Sequence, residues 1–219
     1  MSGSNTLTIG IHFDLICPWC YIGKRQLMLA RDRFAEKYPA VAIESRWHPV
    51  QLLPDVPEQG LPFAEFYERR LGSPEAVRQR RQQIALAAGR VGLDLDLTGI
   101  ERLPNTKRAH QLLRRVAALG DAGLYEALLD RLFAAYFQRG EDIGDAAMLR
   151  VLADEVGVPS DRLDTKPDAA CPLWVEPAIA GVPFFVFNGR RSLSGAQDAS
   201  ILLLAMSQAM QAPVATEGQ

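Results

Sequence analysis

Residues that build metal centres and covalent staples are scarce: the 219-residue chain has three cysteines and three histidines. An odd cysteine count excludes a framework in which every thiol is paired within the chain. His12, His48 and His110 stand far apart, without the paired spacing of zinc ligands. Charge of one sign is missing too. With 24 Lys and Arg against 26 Asp and Glu the formal net charge is −2, and no basic block stands out. Nucleic acid and anionic membrane are therefore not expected as partners. Long apolar runs are absent: stretches such as 132–136 and 201–206 fall far short of the roughly 20 residues that span a bilayer. The first ten residues have neither the basic start nor the apolar stretch of a secretory signal. Export is not expected, and the setting is read as cytoplasmic. Internal repeats and low-complexity tracts are lacking as well.

What remains is an ordinary globular composition, 48% apolar and 23% charged, long enough to bury a core without disulfides. Residues 7–13, Leu-Thr-Ile-Gly-Ile-His-Phe, alternate as a strand does. Cys17 follows, and Pro18 sits where the first turn of a helix tolerates proline. Ile22, Leu27, Ala30 and Phe34 then recur at near-helical spacing to about residue 37. Val41 and Ile43 open a second strand that Pro49 stops, which completes a β-α-β unit. Between about 62 and 157 the pattern is helical only. About five helices fit, with Ser73-Pro74-Glu75 and Asn105-Thr106 as starts and Gly72, Gly89, Gly120 and Gly140 as breaks. Residues 112–137 should form the core of that block. Pro167, Pro172 and Pro177 argue against one continuous helix over 161–180, which stays unassigned. Phe184-Phe185-Val186-Phe187 returns to β pattern, and Asn188-Gly189 turns a hairpin into 191–193. A final amphipathic helix is expected over 196–210. The expected fold class is therefore α/β: a discontinuous sheet domain, 6–60 and 178–211, with an all-helical domain, 61–177, inserted, and a disordered tail, 212–219.

Chemistry concentrates in Cys17-Pro18-Trp19-Cys20. Two thiols three residues apart across the first turn of a helix can close a small disulfide ring. Cys17, at the helix N-terminus, meets unpaired amides and the positive end of the dipole, which favour thiolate over thiol, so it is the expected nucleophile. Cys20, one turn in and less exposed, is the expected resolver of a mixed disulfide. The competing readings are half of a structural zinc site and an inert buried pair. Cys171, the third thiol, and the scattered histidines supply a second half poorly, and no metal is expected. Trp19, between two reactive thiols, cannot turn fully inward and offers an apolar surface to a partner. Asp14 could accept a proton from the thiols if buried, although a solvated loop carboxylate is the more common fate. His110, within a helical pattern, reads as a core or surface histidine. Pro183, at a strand entrance, could hold a cis bond, but its residues alone favour a trans turn.

A resemblance emerges from these residues. Phe13-Asp14-Leu15-Ile16-Cys17-Pro18-Trp19-Cys20-Tyr21-Ile22-Gly23-Lys24 resembles the opening of the DsbA-like thioredoxin-fold oxidoreductases of the FrnE subgroup. Further blocks follow in that subgroup's order: Pro104 to His110, Leu132 to Phe137, Asp142 to Asp145 and Gly181 to Phe187. The resemblance implies a thioredoxin-like fold with an inserted all-helical domain, and Pro183 as a cis-proline facing the two cysteines. It also implies that Val182 pairs through its backbone with an extended substrate segment, beside Pro18 and Trp19 of the motif. The implied activity is thiol-disulfide exchange on a disulfide-containing protein or a small-molecule thiol, by a monomer or homodimer. No metal or organic cofactor is required, and a dithiol resting state would make the enzyme a reductase or isomerase. The wider family includes 2-hydroxychromene-2-carboxylate isomerases and kappa-class glutathione transferases, which carry serine where Cys17 stands. The runner-up is accordingly a glutathione-dependent isomerase or transferase acting on a small aromatic or electrophilic substrate. Glutathione as co-substrate would place its carboxylate near Ala196 and Gln197. A metal-binding or partner-binding module without catalysis is a third reading.

Overall fold

Leu7, Ile9, Ile11 and Phe13 point one way along strand β1 (Thr6–Phe13) and are buried, while the residues between them are only partly so. The computed structural model describes residues 5–159 and 181–211. The proline-rich stretch, Cys171 and the tail lie outside them. Helix α1 (Pro18–Lys37) follows β1 and returns the chain to β2 (Ala42–Pro49), which runs parallel to β1 with Thr6 opposite Ala42 and Phe13 opposite Pro49. A parallel pair needs such a crossover.

The middle of the chain carries five described helices: α2 (Phe63–Leu71), α3 (Pro74–Gly89), α4 (Lys107–Ala117), α5 (Ala122–Arg139) and α6 (Ala146–Glu155). Their ends obey local rules. Ser73 caps α3 by accepting from the Ala76 amide, and Asp121 and Asp145 cap α5 and α6 in the same way. Gly140 ends α5 at φ 64°, where a Cβ would stand 2.6 Å from the Gly99 carbonyl oxygen; only glycine fits there. The helices-only expectation for this region needs one correction. A two-residue clip, β3 (Leu61–Pro62) against β4 (Arg102–Leu103), joins the entrance of the block to its middle. Sequence pattern cannot signal so short a pairing.

After the inserted block, β5 (Phe184–Phe187) lies antiparallel to β1 and β6 (Arg191–Ser194) antiparallel to β5, giving the sheet order β2-β1-β5-β6. Asn188 turns the hairpin at φ 49°, accepts from the Thr8 amide and donates to the Ala209 carbonyl. It thereby ties the turn to β1 and to the last helix, α7 (Ala199–Gln211). That helix starts three residues later than its amphipathic pattern suggests. Gly195, at φ 81°, and the bond from Gln197 N to Gly195 O hold 195–197 in a turn.

Two cores result. Leu7, Ile9 and Ile11 of β1 meet Leu27 and Phe34 of α1, Phe185 and Phe187 of β5, and Leu202 and Met206 of α7. The second core gathers Leu128, Leu132, Phe133 and Phe137 of α5 with Leu112, Leu113 and Leu152, and it takes in Phe13, Cys17, Cys20 and Tyr21 from the sheet side. Tyr21 stacks on Phe133 at 4.9 Å. The motif therefore sits at the seam between sheet domain and helical block. A buried cation strengthens that seam: Lys24 of α1, 1% exposed, reaches Asp130 of α5 at 2.7 Å. Asp130→Ala should destabilise the fold by about 2 kcal/mol, less than for a fully buried pair because water reaches Asp130. Lys24→Met, which replaces the charge with a similar shape, should cost less. Urea midpoints of both variants check the ordering.

Candidate active site

Cys17 occupies the N-cap of α1 in extended conformation, with Pro18 in the first turn. Its carbonyl accepts from the amides of Cys20 and Tyr21, which closes the first turn of the helix over the motif. The two cysteines are unbonded, Cys17 7% and Cys20 2% exposed. Cys17 Sγ lies 3.5 Å from the Val182 carbonyl oxygen. The Val182–Pro183 bond is cis, against the trans turn that its residues alone favour. Gly23 lets this segment approach: a Cβ there would stand 2.9 Å from Pro183 Cγ. Cys17, Cys20, Val182 and Pro183 are thus brought together across 165 residues. Trp19 is half-buried and packs on the helical core, and both it and Pro18 line a pocket beside Cys17.

Burial pushes the Cys20 thiol well above its ordinary value, assisted by its hydrogen bond to Cys17 and by the Asp14 carboxylate, while the Asp14 backbone amide pulls the other way. Cys20 is therefore a neutral thiol at pH 7. A raised folded-state value means that its contribution to stability is complete below the unfolded thiol range and is lost as pH rises through the higher folded value. Burial also raises Tyr67 to about 12 and lifts Tyr136, which acts in the same direction. The reduced protein should therefore lose urea resistance between pH 8 and pH 10, and Cys20→Ala should remove part of that loss.

Asp14 corrects the solvated-loop expectation. It is fully buried at the end of β1; Oδ2 accepts from the Leu52 amide at 2.8 Å and Oδ1 lies 2.9 Å from His110 Nε2. His110 is buried too, its ring edge-on to Phe13, and its Nδ1 has no hydrogen-bond partner among the described residues. A carboxylate held under the dithiol by an imidazole is the feature sequence reasoning missed, and no spacing signal links positions 96 apart.

Ala196 packs against the core and Gln197 Nε2 donates to the Ser194 carbonyl. The neighbouring start of α7 is occupied: Gln26 Oε1 accepts from the Ala199 amide, and the Asp198 carboxylate accepts from the Ser200 amide and hydroxyl. An incoming carboxylate there would meet Asp198. Among the described residues no group of three His, Cys, Asp or Glu is placed to hold a metal ion, and no described helix is long and apolar enough to cross a membrane.

A β-α-β unit and a β-hairpin that form one sheet, with a Cys-X-X-Cys opening the first helix and a helical block between them, define a thioredoxin-like fold with an inserted helical domain. Residues 8–171 match the family profile of the DSBA-like thioredoxin domain, and the chain belongs to that family. YwbO of Bacillus subtilis (strain 168) is 24% identical over 193 residues, 84% of this chain and 88% of that one. A probable DsbA oxidoreductase from Streptomyces coelicolor superposes with a TM-score of 0.82 at 24% identity, covering 97% of this chain and 94% of its own. The cytosolic disulfide reductase DsbM of Pseudomonas aeruginosa, also solved with GSH, gives 0.63 at 18% identity over 94% of this chain and 100% of its own. A 2-hydroxychromene-2-carboxylate isomerase gives 0.59 at 15% identity over 93% of this chain and 96% of its own. At these identities the solved structures speak for the fold.

Proposed function

We propose that the protein is a thiol-disulfide oxidoreductase of the reductase or isomerase type, exchanging disulfides through Cys17 and Cys20 in the cytoplasm. The observation that carries this reading is the placement of Cys17 at the N-cap of α1, at the edge of a pocket and 3.5 Å from the Val182 carbonyl, with the protonated Cys20 behind it.

In the forward direction the Cys17 sulfur attacks a substrate disulfide. One sulfur of that disulfide leaves as a thiolate, and Cys17 becomes part of a mixed disulfide. Cys20 must then give up its proton and attack Cys17 Sγ, which releases the second thiol and closes the Cys17–Cys20 disulfide. Asp14 is the candidate to take that proton, a fully buried carboxyl group shortly before the motif whose charge acts on the Cys20 thiol; His110 holds the carboxylate in place. The Val182 backbone, whose carbonyl lies against Cys17 Sγ, suits the docking of an extended peptide beside the thiol, and Pro18 and Trp19 offer it an apolar face. No metal or organic cofactor enters these steps. Glutathione suits the role of a small thiol co-substrate, as the DsbM structure with GSH illustrates for that neighbour. The purified chain should accelerate reduction of insulin by dithiothreitol. Turbidity that develops no faster with the protein than without it would remove this reading and return the glutathione and partner-binding alternatives to the front.

A further inference from the structure

The pocket beside Cys17 has a composition that dithiol exchange by itself does not require. It encloses about 260 Å³ between Cys17 and Trp19 on one side and Phe66, Ile84 and Phe137 of the helical block on the other. That is near the lower end of the range for small-molecule sites, about 300 Å³. Arg70, Arg80 and Arg81 share its wall, and among the described residues no Asp or Glu lines it. None of the three is in an ion pair of 4.0 Å or shorter among the described residues. Arg70 lies 6.0 Å from the Phe66 ring and Arg81 5.9 Å from the Phe63 ring. Arg81 Nε is shielded from water with no hydrogen-bond partner, an arrangement that costs stability unless an acceptor arrives. Asp96 feels the Arg81 charge, but it lies outside the pocket wall and forms no ion pair with Arg81; its Oδ1 accepts from the Thr98 amide, the Thr98 hydroxyl and the Gly99 amide. Glu65 and Glu68 of α2 line a separate depression with Arg69.

We propose that this pocket binds a small disulfide with an apolar, aromatic body and a carboxylate, the body resting between Trp19 and Phe137 and the carboxylate held by Arg70, Arg80 and Arg81. The proposal rests on the dithiol reading above and names the substrate class of the same site. Charge complementarity selects the anion, because planar guanidinium groups match a carboxylate. The apolar walls select the body over glutathione, which has no aromatic part. The occupied start of α7 offers a carboxylate no competing place. In one turnover Cys17 attacks one sulfur of the bound disulfide and the first aromatic thiolate leaves. Cys20 then attacks Cys17 Sγ and the second thiolate leaves. The protein dithiol gives up two protons and two electrons, the substrate disulfide becomes two thiolates, and a dithiol reductant restores the protein.

Two aromatic disulfides of similar size separate the terms: dithiobis(nitrobenzoate), which carries carboxylates, and dithiodipyridine, which is uncharged near neutral pH. Single-turnover rates are measured with the reduced full chain, and the rate remaining in Cys17→Ser is subtracted. The ratio of the two rate constants should fall about tenfold in Arg80→Gln and in Arg81→Gln, the loss of one charge-assisted contact, and Arg81→Lys should recover much of it. Arg70→Gln and Arg80→Gln alter exposed side chains and guard against a folding defect at Arg81. A ratio that stays the same in all three glutamine variants overturns the proposal. If neither disulfide reacts faster with the unmodified chain than with Cys17→Ser, the dithiol reading itself has failed, and the proposal with it.

Discussion

Cys17→Ser should lower catalysed insulin reduction by about 10³-fold or more, to the rate of the reductant alone, because the attacking sulfur is gone. Cys20→Ser should behave differently. The first attack still occurs, but the mixed disulfide at Cys17 has no internal thiol to displace the substrate, so the covalent adduct accumulates. Intact-mass spectrometry of Cys20→Ser after incubation with a disulfide-bonded substrate should show the chain plus one substrate half, and dithiothreitol should release it. Chemistry by a bound glutathione would instead survive loss of Cys20. Equal activity in all three proteins would mean that the Cys-X-X-Cys pair is not the working centre.

The second large effect is expected at Asp14. Replacing a proton acceptor that operates in the rate-determining transfer costs about 10²–10⁴-fold, so Asp14→Asn should slow the resolving step by about 10²-fold while the first attack by Cys17 proceeds. Asparagine keeps an oxygen for the Leu52 amide and a polar contact for His110, so the fold should tolerate it. With Asp14 removed as acceptor, release should follow the Cys20 thiolate fraction alone and climb about tenfold per pH unit from pH 7 to pH 9, given a raised thiol value. Rapid-quench analysis of the mixed disulfide against pH reads both the rate and the slope. A flat profile in Asp14→Asn, or a release rate equal to that of the unmodified chain, assigns the proton elsewhere. Asp14→Ala is a separate structural probe: it leaves the buried His110 Nε2 and the part-buried Leu52 amide without their partner and should cost about 2 kcal/mol of stability.

Much of the fold follows from periodicity and punctuation. The alternation in β1, the proline in the first turn of α1, Ser73 before α3, and Gly72 and Gly140 after α2 and α5 act over a few residues, and each is found where local rules put it. The β3–β4 clip and the late start of α7 escape those rules. One depends on a contact between distant loops and the other on a turn held by its own hydrogen bond.

The candidate site divides along the same line. Cys17 and Cys20 are legible because their chemistry depends on adjacency along one helical turn, and Pro183 because a resemblance carries it. Asp14 reads as a surface carboxylate until the fold closes over it, and His110 reads as an unremarkable helical residue until α4 carries it to the end of β1. Arg70, Arg80 and Arg81 carry no signal in local spacing; only the packing of α2 and α3 beside the motif makes them the wall of a pocket that includes Cys17. The sequence by itself determined the Cys-X-X-Cys at the start of the first helix, the α/β frame and the helical insertion, because those are written in local spacing. Tertiary structure decided what lies beneath and beside the thiols, because burial and charge proximity depend on which distant segments the fold brings together.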